Sequence, residues 1–514
     1  MAEYNMHILV CGGTGCKASQ SELIKTNFTD KLNEYGLADE IQVILTGCFG
    51  FCEKGPIVKI LPDNTFYTQV TPEDVSEIVD EHVIKGRKVE RLLYKDPETK
   101  EIVGDSKGMD FYKKQIRIAL RNCGFINPEN IEEYIGRDGY AALGTCLSEK
   151  TPDEAIKMIK DSGLRGRGGG GFPTGLKWKL SSEAVDETKY VICNADEGEP
   201  GTFKDREILS RVPFKVLTGM AVCGHVIGAK EGYIYLRGEY FFLQPELNKA
   251  ISEFEYYCKE INLDFTIKIF MGSGAYICGE ETALFESMEG KRGEPRNKPP
   301  YPSSYGYMGK PTVINNVETL AHTFTIFKYG AKRFYDLGVQ YSRGSKLFSV
   351  SGDTPKPGIY ELELGMSLAD FVDEFGDGDT KAVQVGGASG FLVPRKRFGE
   401  TAIGFQGKLT GISLPTGGSM MLFNSSRSMF NVLDNYLEFF REESCGQCTP
   451  CRVGCQQLLK GIKAVKRGEK NAHYLDKLLR LTETMQYTAK CGLGQSVANS
   501  FSSIVENFRE EMIY

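Results

Sequence analysis

Hydrophobic and polar residues follow two different periods along the chain, and the change between them divides it into regions. Near the N-terminus the apolar runs MHILVC, IQVILT and PIVKIL predict three buried strands. SELIKTNFTDKLNEYG has the spacing of an amphipathic helix that ends at Gly36, and TPEDVSEIVDEHVIKG predicts a second helix beginning at a Thr-Pro pair. Residues 1–90 are therefore predicted to form a small α/β domain.

A charged connector, residues 91–130, follows, with one amphipathic helix predicted in FYKKQIRIALRNCG, residues 111–124. In residues 131–335 the strand-like KYVICNADE and EGYIYLRGEY alternate with helical segments. One of these helices starts at Thr151 and Glu154, which match a capping box. The alternation is typical of an α/β domain.

Two further regions complete the chain. Residues 336–425 contain the short strands KLFSVSG and AVQVGG and the short helix SLADFVDEFG, which predict a compact α+β domain. Residues 426–514 have helical periodicity with two cysteine-bearing interruptions.

Composition and charge exclude several classes of function. With 514 residues the chain is too long for one core, and its net charge of −6 argues against general binding of nucleic acid. No apolar run approaches the ~18 residues of a membrane span, and the N-terminus lacks the features of a signal peptide, so a cytoplasmic protein without membrane insertion is expected. The 15 cysteines are clustered. In a reducing compartment clustered cysteines indicate metal or cluster ligands more than disulfides.

The segment LRGRGGGGFPTGLKW, residues 164–178, is a candidate phosphate site. It has six glycines between 166 and 175, and a helix is predicted to start behind them. Free backbone N–H groups before a helix can cradle a phosphate, and Arg165, Arg167 and Lys177 add positive charge. The spacing matches neither the dinucleotide fingerprint nor a P-loop, so a flexible surface loop is the competing interpretation.

Polar groups follow two other predicted turns. ICNADEGEPGTFKDRE places Asn194, Asp196, Glu197 and Glu199 after a strand, where open α/β sheets bind ligands. A solvated acidic turn is the alternative. A second glycine turn in residues 272–302 carries Glu280 and Glu281, followed by a basic, proline-rich loop, and INNVET adds paired amides.

Four cysteines lie in the N-terminal region, each pair after a predicted strand. Cys11 and Cys16 have four residues between them, and Cys48 and Cys52 have three. Four thiolates from two loops suit a [2Fe–2S] cluster, and zinc with four thiolates is the alternative.

The segment SCGQCTPCRVGC indicates a second iron–sulfur site. Cys445, Cys448 and Cys451 have the C-x-x-C-x-x-C spacing of a cluster ligand set, and a [4Fe–4S] cluster needs a fourth ligand. Cys455 is close but is predicted to lie along the helix that follows Pro450. Cys491 lies in the turn KCGLG, so spacing favours it without excluding Cys455.

Together these segments resemble the NADH-oxidising flavoprotein subunit of respiratory complex I. The matches are GRGGGGFPTGLKW, NADEGEPGTFKDRE, GAYICGEETAL, INNVET, SCGQCTPCRVG and CGLG, in the family's order. The N-terminal CGGTGC and GCFGFC resemble the thioredoxin-like [2Fe–2S] domain that precedes this core in the beta subunits of multimeric NAD-linked [FeFe]-hydrogenases and of NAD-dependent formate dehydrogenases.

The resemblance implies a multidomain α/β fold. It comprises a thioredoxin-like [2Fe–2S] domain (1–90), the connector (91–130), a Rossmann-like FMN and NADH domain (131–335), a ubiquitin-like domain of SLBB type (336–425) and a helical [4Fe–4S] domain (426–514). It also implies that Cys491 is the fourth cluster ligand and that Cys455 is a buried thiol.

The resemblance also assigns the loops. The residues implied for FMN are Gly166, Arg167, Gly168, Gly169, Lys177, Asn194, Asp196, Glu197, Tyr276, Gly279, Glu280, Glu281, Ile314, Asn315, Asn316 and Thr319. The residues implied for NADH are Phe172, Glu199, Lys298 and Tyr301. Glu281 is placed near the nicotinamide, and no catalytic nucleophile or general base is expected, because the flavin mediates hydride transfer.

The implied function is exchange of hydride with NAD(H) at FMN and of single electrons with partner subunits. The expected partners are a small [2Fe–2S] subunit and the catalytic subunit of a soluble hydrogenase, with or without electron bifurcation. A formate dehydrogenase or respiratory complex I is the alternative assembly, and a zinc-stabilised scaffold or nucleotide sensor is the non-enzymatic alternative. Glu199 near a ribose would repel a 2′-phosphate, which favours NAD over NADP.

Overall fold

The computed structural model describes residues 4–46, 49, 51, 54–95, 102–103, 115–128, 130–137, 139–405, 414 and 416–513. Cys48 and Cys52 lie outside the described residues, as does most of the segment between 96 and 114. None of the helices formed by the described residues is both long and apolar enough to cross a membrane.

The N-terminal domain is a four-stranded sheet flanked by helices. Its strands lie in the order β2-β1-β3-β4, with β2 parallel to β1 and the other pairs antiparallel. The elements are β1 Met6–Cys11, α1 Thr14–Ala18, α2 Ser21–Glu34, β2 Ile41–Thr46, β3 Val58–Leu61, β4 Thr65–Tyr67 and α3 Asp74–Glu77, which continues as a π-helix, Ile78–Val83. The three strands and two helices predicted here from periodicity are confirmed.

The connector forms a two-stranded sheet, β5 Tyr94–Lys95 with β6 Ile102–Val103. The helix predicted for residues 111–124 is wrong over the described part, because residues 115–124 form turns and irregular backbone. The N–H groups of Ile118, Ala119 and Leu120 donate to the carboxylate of Glu361. The amine of Lys215 donates to the carbonyls of Ile118 and Ala119. These tertiary bonds replace the i→i−4 bonds that a helix would need.

The central domain is built on a parallel four-stranded sheet in the order β10-β7-β8-β9. Its capping box at Thr151 and Glu154 is confirmed. The elements are α4 Ile131–Gly136, α5 Ala141–Gly144, α6 Pro152–Asp161, α7 Thr174–Ser182, β7 Tyr190–Ala195, α8 Lys204–Arg211, α9 Pro213–Ile227, β8 Glu231–Leu236, α10 Gln244–Glu260, β9 Thr266–Met271, α11 Glu281–Met288, β10 Thr312–Asn316, α12 Val317–Tyr329 and α13 Ala331–Tyr335, with 3-10 turns at Gly238–Leu243, Tyr276–Gly279 and Tyr307–Gly309.

The next domain packs one helix against a mixed five-stranded sheet of order β14-β13-β17-β15-β16, with β13 parallel to β17. The predicted strands KLFSVSG and AVQVGG and the predicted helix are confirmed. The elements are β11 Gly338–Val339, β12 Ser342–Arg343, β13 Ser345–Gly352, β14 Gly358–Glu363, α14 Leu368–Phe375, β15 Thr380–Val385, β16 Phe391–Pro394, a 3-10 turn Arg395–Glu400 and β17 Ser419–Asn424.

The C-terminal region is a helical bundle, as predicted. Its two cysteine-bearing interruptions fall between the first two long helices and between the last two. The helices are α15 Met429–Glu443, α16 Thr449–Lys466, α17 Tyr474–Thr488, α18 Gly492–Asn507 and α19 Arg509–Met512. One buried cluster joins this bundle to α11 and to the parallel sheet through Phe285 and Ile192. The helical bundle therefore rests directly on the domain that carries the polar loops.

Candidate functional site

The order of the parallel strands creates a crevice where the predicted polar segments meet. The chain leaves β7 towards β8, whereas β10 lies on the other side of β7, so the strand order reverses between them. Open α/β sheets bind ligands outside the carboxyl ends of their strands at such a point. Asn316 pairs with Asn194 across β10 and β7. The INNVET amides and the acidic turn after β7 therefore come together.

The glycine-rich loop lies at this crevice and is fixed at both ends. The amide of Gly166 donates to the Phe172 carbonyl (2.9 Å), and the amide of Arg167 donates to Thr319 Oγ1 (2.8 Å). A Cβ atom on Gly168 would lie 3.2 Å from the Asn316 side chain, so the backbone approaches this residue closely.

The Arg167 side chain does not face the crevice. It is fully buried, and its guanidinium donates to the carbonyls of Arg165, Arg343 and Ser345. The Arg167 side chain is therefore not available to a ligand.

Asp196 is a buried side chain of this site whose carboxylate has no hydrogen-bond partner among the described residues. It is 2% exposed, and neither carboxylate oxygen accepts a hydrogen bond from the described residues. Arg237 Nη1 lies 3.5 Å away. Burial raises the pKa of Asp196 to about 7. Since buried polar groups are normally hydrogen-bonded, this carboxyl fits a bound molecule that offers N–H or hydroxyl donors, as a flavin nucleotide does.

Other predicted residues support the loops through their side chains. Glu197 accepts the amides of Asp205 and Arg206 and the Tyr240 hydroxyl, and burial raises its pKa to about 7. Asn194 bonds both the amide of Asp196 and the carbonyl of Gly279. These side chains hold the shape of the crevice.

Asn315 and Asn316 also make structural bonds. Asn315 Oδ1 accepts from the buried Trp178 indole (2.9 Å). Asn316 caps α12 and donates to Asp205. Trp178 thus packs behind the loop.

A row of alternating charges lies at one side of the crevice. Lys177 Nζ is 3.2 Å from Glu281 Oε2 and 3.1 Å from the Ile314 carbonyl. Lys298 Nζ bridges Glu280 (2.8 Å) and Glu281 (2.9 Å). Burial opposes the charge on Glu281, yet the two ammonium groups lower its pKa to about 2. Glu281 is therefore an anion at neutral pH and sets the position of both lysines.

The residues predicted for the nicotinamide nucleotide differ in accessibility. The rings of Phe172 and Tyr301 are 46% and 58% exposed, so both can stack on a ligand. Glu199 accepts from the Tyr276 hydroxyl (2.6 Å) and from the hydroxyl (2.6 Å) and amide (3.0 Å) of Ser389. Burial raises its pKa above the ordinary value. The predicted repulsion of a 2′-phosphate by this engaged carboxyl stays a prediction.

The four cysteines predicted for the [4Fe–4S] cluster line one cavity. Cys445, Cys448, Cys451 and Cys491 surround it, whereas Cys455 does not line it and is fully buried one helical turn after Cys451. Cys448 and Cys491 are the N-cap residues of α16 and α18. The positive end of a helix dipole therefore lies beside each of these two sulfurs.

Cys455 acts on the cysteine next to it. A hydrogen bond from Cys455 lowers the pKa of the Cys451 thiol to about 7. No three His, Cys, Asp or Glu side chains within the described residues converge as the ligands of one metal ion do. The four cysteines nevertheless line one cavity, which is the arrangement that a polynuclear cluster with four thiolate ligands needs.

The N-terminal cysteine site is seen only in part. Cys11 ends β1 and Cys16 lies in α1, and both are buried. The predicted participation of Cys48 and Cys52 concerns positions that are not described.

Four residues that contribute to the site escaped the sequence-based prediction. They are Arg237 beside Asp196, Ser389 beside Glu199, and the buried pair Lys204 and Lys346 beneath the glycine-rich loop. Lys346 brings a charge into strand β13, whose residues 345–350 are all buried, and that burial is known only from the structure.

Comparison with protein-family models finds three matches. Residues 159–325 match the Nuo51 FMN-binding domain, and residues 431–514 match the NADH-ubiquinone oxidoreductase-F iron–sulfur binding region. Residues 3–82 match the thioredoxin-like [2Fe–2S] ferredoxin. The FMN, [4Fe–4S] and [2Fe–2S] cofactors expected from the sequence are thus confirmed at the level of domains.

Curated relatives cover most of the chain. It is 42% identical over 410 residues to the NADP-reducing hydrogenase protein HndC of Solidesulfovibrio fructosivorans (78% of this chain, 83% of the relative). It is 38% identical over 499 residues to the alpha subunit of the NAD-reducing hydrogenase HoxS of Cupriavidus necator (95% and 78%). It is 40% identical over 407 residues to a subunit of the NADH-quinone oxidoreductase of Rhizobium meliloti (77% and 96%).

A solved structure supports the whole arrangement. A chain of an NAD⁺-reducing [NiFe]-hydrogenase in the H2-reduced state superposes with a TM-score of 0.69 at 31% identity, covering 99% of this chain and 84% of that chain.

Proposed function

Because the chain belongs to the family of NADH-oxidising flavoprotein subunits with a Nuo51 FMN-binding domain, we propose that it exchanges a hydride with NAD(H) at FMN and single electrons with partner subunits. One observation carries this proposal: the segment Tyr276–Gly279 belongs to both sites. Its Gly279 carbonyl accepts from Asn194 in the crevice, and its Ile277 lines the four-cysteine cavity.

The same segment is also tied to the cysteine loop. The amide of Tyr276 donates to Glu443 Oε2 (2.9 Å). Glu443 stands two residues before Cys445. The crevice and the cavity therefore share one wall, and short separation is what electron transfer between two cofactors requires.

The chain supplies position and charge. Bound FMN would convert a two-electron hydride into single electrons, which iron–sulfur clusters accept one at a time. The backbone N–H groups of Gly168 and Gly169 would hold the phosphate, because those of Gly166 and Arg167 already donate to Phe172 and Thr319. Asp196 would accept donors of the ring. Phe172 and Tyr301 offer exposed rings for the nucleotide, and Lys298 is held by Glu280 and Glu281. No side chain is assigned as nucleophile or general base.

A hydrogenase is the assembly that the relatives favour. The alpha subunit of HoxS, a component of an NAD-reducing hydrogenase, aligns with 95% of this chain, which includes the N-terminal domain. The NADH-quinone oxidoreductase relative aligns with 77%. We therefore place the chain in an NAD-linked hydrogenase, with a formate dehydrogenase or complex I as alternatives. Electron bifurcation, preference for NAD over NADP and a cytoplasmic location stay predictions.

The test uses the complex purified through a tag on this chain. We expect it to contain FMN and iron, and to reduce NAD⁺ with H2 as the electron donor. Formate-dependent reduction of NAD⁺, or NADH-dependent reduction of a quinone, would assign the alternatives instead. Zinc in place of iron and flavin would contradict the proposed chemistry and support the scaffold interpretation.

A further inference from the structure

Three cationic side chains lie buried beneath the glycine-rich loop. Arg167 and Lys346 are fully buried, and Lys204 is 1% exposed. Charged groups are rarely buried without a partner, because each must give up its hydration. These three lie under a loop that is proposed to hold a phosphate, so a bound phosphate is a candidate partner.

Lys346 reaches the loop from the neighbouring ubiquitin-like domain. It lies on β13, and its Nζ donates to the Arg167 carbonyl (3.0 Å) and to Glu318 Oε2 (3.0 Å). The C=O and N–H groups of a trans peptide point in opposite directions. With the Arg167 carbonyl turned down towards Lys346, the N–H of Gly168 is turned away from the buried amine. Lys346 thereby sets the direction in which this part of the loop offers its donor.

Lys204 holds the other side of the loop. Its Nζ lies 2.6 Å from Asp205, 2.9 Å from Glu318 and 3.3 Å from Asn316 Oδ1. Asn316 is the residue against which Gly168 packs. The cations under the loop thus contact both the loop itself and its nearest neighbour.

Two carboxylates contact the buried lysines: Lys204 contacts Asp205 and Glu318, and Lys346 contacts Glu318. Within the described residues the Arg167 guanidinium donates only to carbonyl oxygens. Other titratable groups stand further out. Glu197, with a pKa of about 7, bonds the Asp205 amide, and Glu361 bonds the connector. His322 packs on Glu318, and burial lowers its pKa, so it is neutral at pH 7.

Keeping Lys346 charged in this buried position costs free energy until an anion binds above the loop. Burial lowers the pKa of Lys346 to about 7, so its charged form is held only weakly in the absence of a ligand. An anion above the loop would stabilise that form, because charges interact strongly where water is excluded.

We propose that Lys346 and Lys204 are positioning residues that make this site select the phosphorylated flavin, FMN, over riboflavin. The inference rests on the proposed binding of FMN and adds the origin of its selectivity. Lys346 orients the loop donors towards the phosphate, and the buried cations balance the phosphate charge from below. The ubiquitin-like domain, which contributes Lys346, then takes part in flavin binding.

The test compares FMN with riboflavin on the full chain freed of flavin, using quenching of flavin fluorescence to obtain both Kd values. We expect Lys346→Met to weaken FMN binding about tenfold or more and to change riboflavin binding less than about twofold, as expected for loss of a charge-assisted contact. The matched control is Lys215→Met. Lys215 is also a fully buried lysine, but its amine binds the connector carbonyls of Ile118 and Ala119. It should leave the ratio of the two Kd values unchanged.

A measurement on the wild type decides the question if Lys346→Met does not fold. Exposed charges are screened by salt, whereas buried ones are screened much less. The preference for FMN should therefore fall less than about threefold between roughly 0.05 and 1 M KCl. A larger fall would assign the preference to part-exposed cations such as Arg165 and would overturn the proposal.

The outcomes separate this inference from the proposed function. A wild-type chain that binds neither flavin contradicts the proposed function itself. A wild type that prefers FMN, with the same preference in Lys346→Met, leaves the proposed function standing and overturns only the role of Lys346.

Discussion

Asp196 and Glu281 are two carboxyl groups of one crevice whose environments differ. Asp196 accepts no hydrogen bond from the described residues, and burial raises its pKa to about 7. Glu281 contacts two ammonium groups, which lower its pKa to about 2 despite burial. Such a separation of pKa values within one pocket is typical of functional sites. Within the described residues Asp196 lacks the hydrogen-bond donors that a ligand would supply. Glu281 already has its partners, the ammonium groups of Lys177 and Lys298.

We expect Asp196→Asn to stabilise the flavin-free chain at high pH. The pKa of Asp196 rises from an ordinary 3.8 to about 7 on folding. The folded state thus holds this proton more tightly than the unfolded state. The contribution of the carboxyl to stability is complete below about pH 4 and is lost as the pH rises through 7. The variant should therefore match the wild type at pH 4 and exceed it by about 2–4 kcal/mol at pH 8.

Urea unfolding at these two pH values measures the effect. Asp264→Asn, at an exposed position, is the control and should change stability equally at both pH values. An Asp196→Asn difference from the wild type that does not vary with pH would contradict the assignment.

At this scale the sequence reveals the residues that carry motifs and misses those that act through space. The loop glycines, the paired amides and the cysteines could be named from spacing. Arg237, Lys204 and Lys346 could not, because their partners Asp196, Glu318 and Asn316 come from other elements. Only folding shows that these charges meet.

Among the elements, strands and helices with clear periods were predictable, and the connector was not. Its segment FYKKQIRIALRNCG has helical spacing, yet residues 115–124 are not helical. Backbone groups of this segment bond to Glu361 and Lys215 instead. A carboxylate and an amine from distant elements satisfied the backbone better than the segment could satisfy itself. Local pattern carries no information on such partners.

We expect Glu361→Ala to release the connector. Three amides lose their acceptor in this variant, so hydrogen exchange at residues 118–120 should become faster by about tenfold or more. Glu363→Ala, on the same strand β14, is the control and should leave these amides protected. Equal exchange in the two variants would show that the connector is held by its apolar contacts instead.

The helix starts at Cys448 and Cys491 give a second prediction. Cys491→Ala removes a cavity-lining thiol at the N-terminus of α18, whereas Cys455→Ala removes a buried thiol that does not line the cavity. We expect about two irons per chain in Cys491→Ala and about six in the wild type and in Cys455→Ala. Iron analysis with visible absorbance checks this. The reverse pattern would make Cys455 the ligand that spacing alone left open.

For the whole molecule, the contacts between domains place the sites beside one another. Ser389, between β15 and β16 of the five-stranded domain, donates to Glu199, and its carbonyl accepts from Asn499 on α18. On the other side, Lys17, next to Cys16, pairs with Glu246 at the start of α10 (2.9 Å). The order of the three regions that the family models match was predictable from motifs. These contacts were not, since each joins single residues far apart in the chain.

The most direct test of the account is anaerobic titration of the purified chain with NADH, followed by visible absorbance and EPR, with iron counted on the same sample. The account predicts that the flavin absorbance bleaches and that a reduced [4Fe–4S] signal appears in the wild type and in Cys455→Ala. In Cys491→Ala the flavin should still bleach and that signal should be missing. A flavin that NADH does not bleach, in a chain with full FMN and iron, would contradict the central claim that this protein oxidises NADH and delivers the electrons to its clusters.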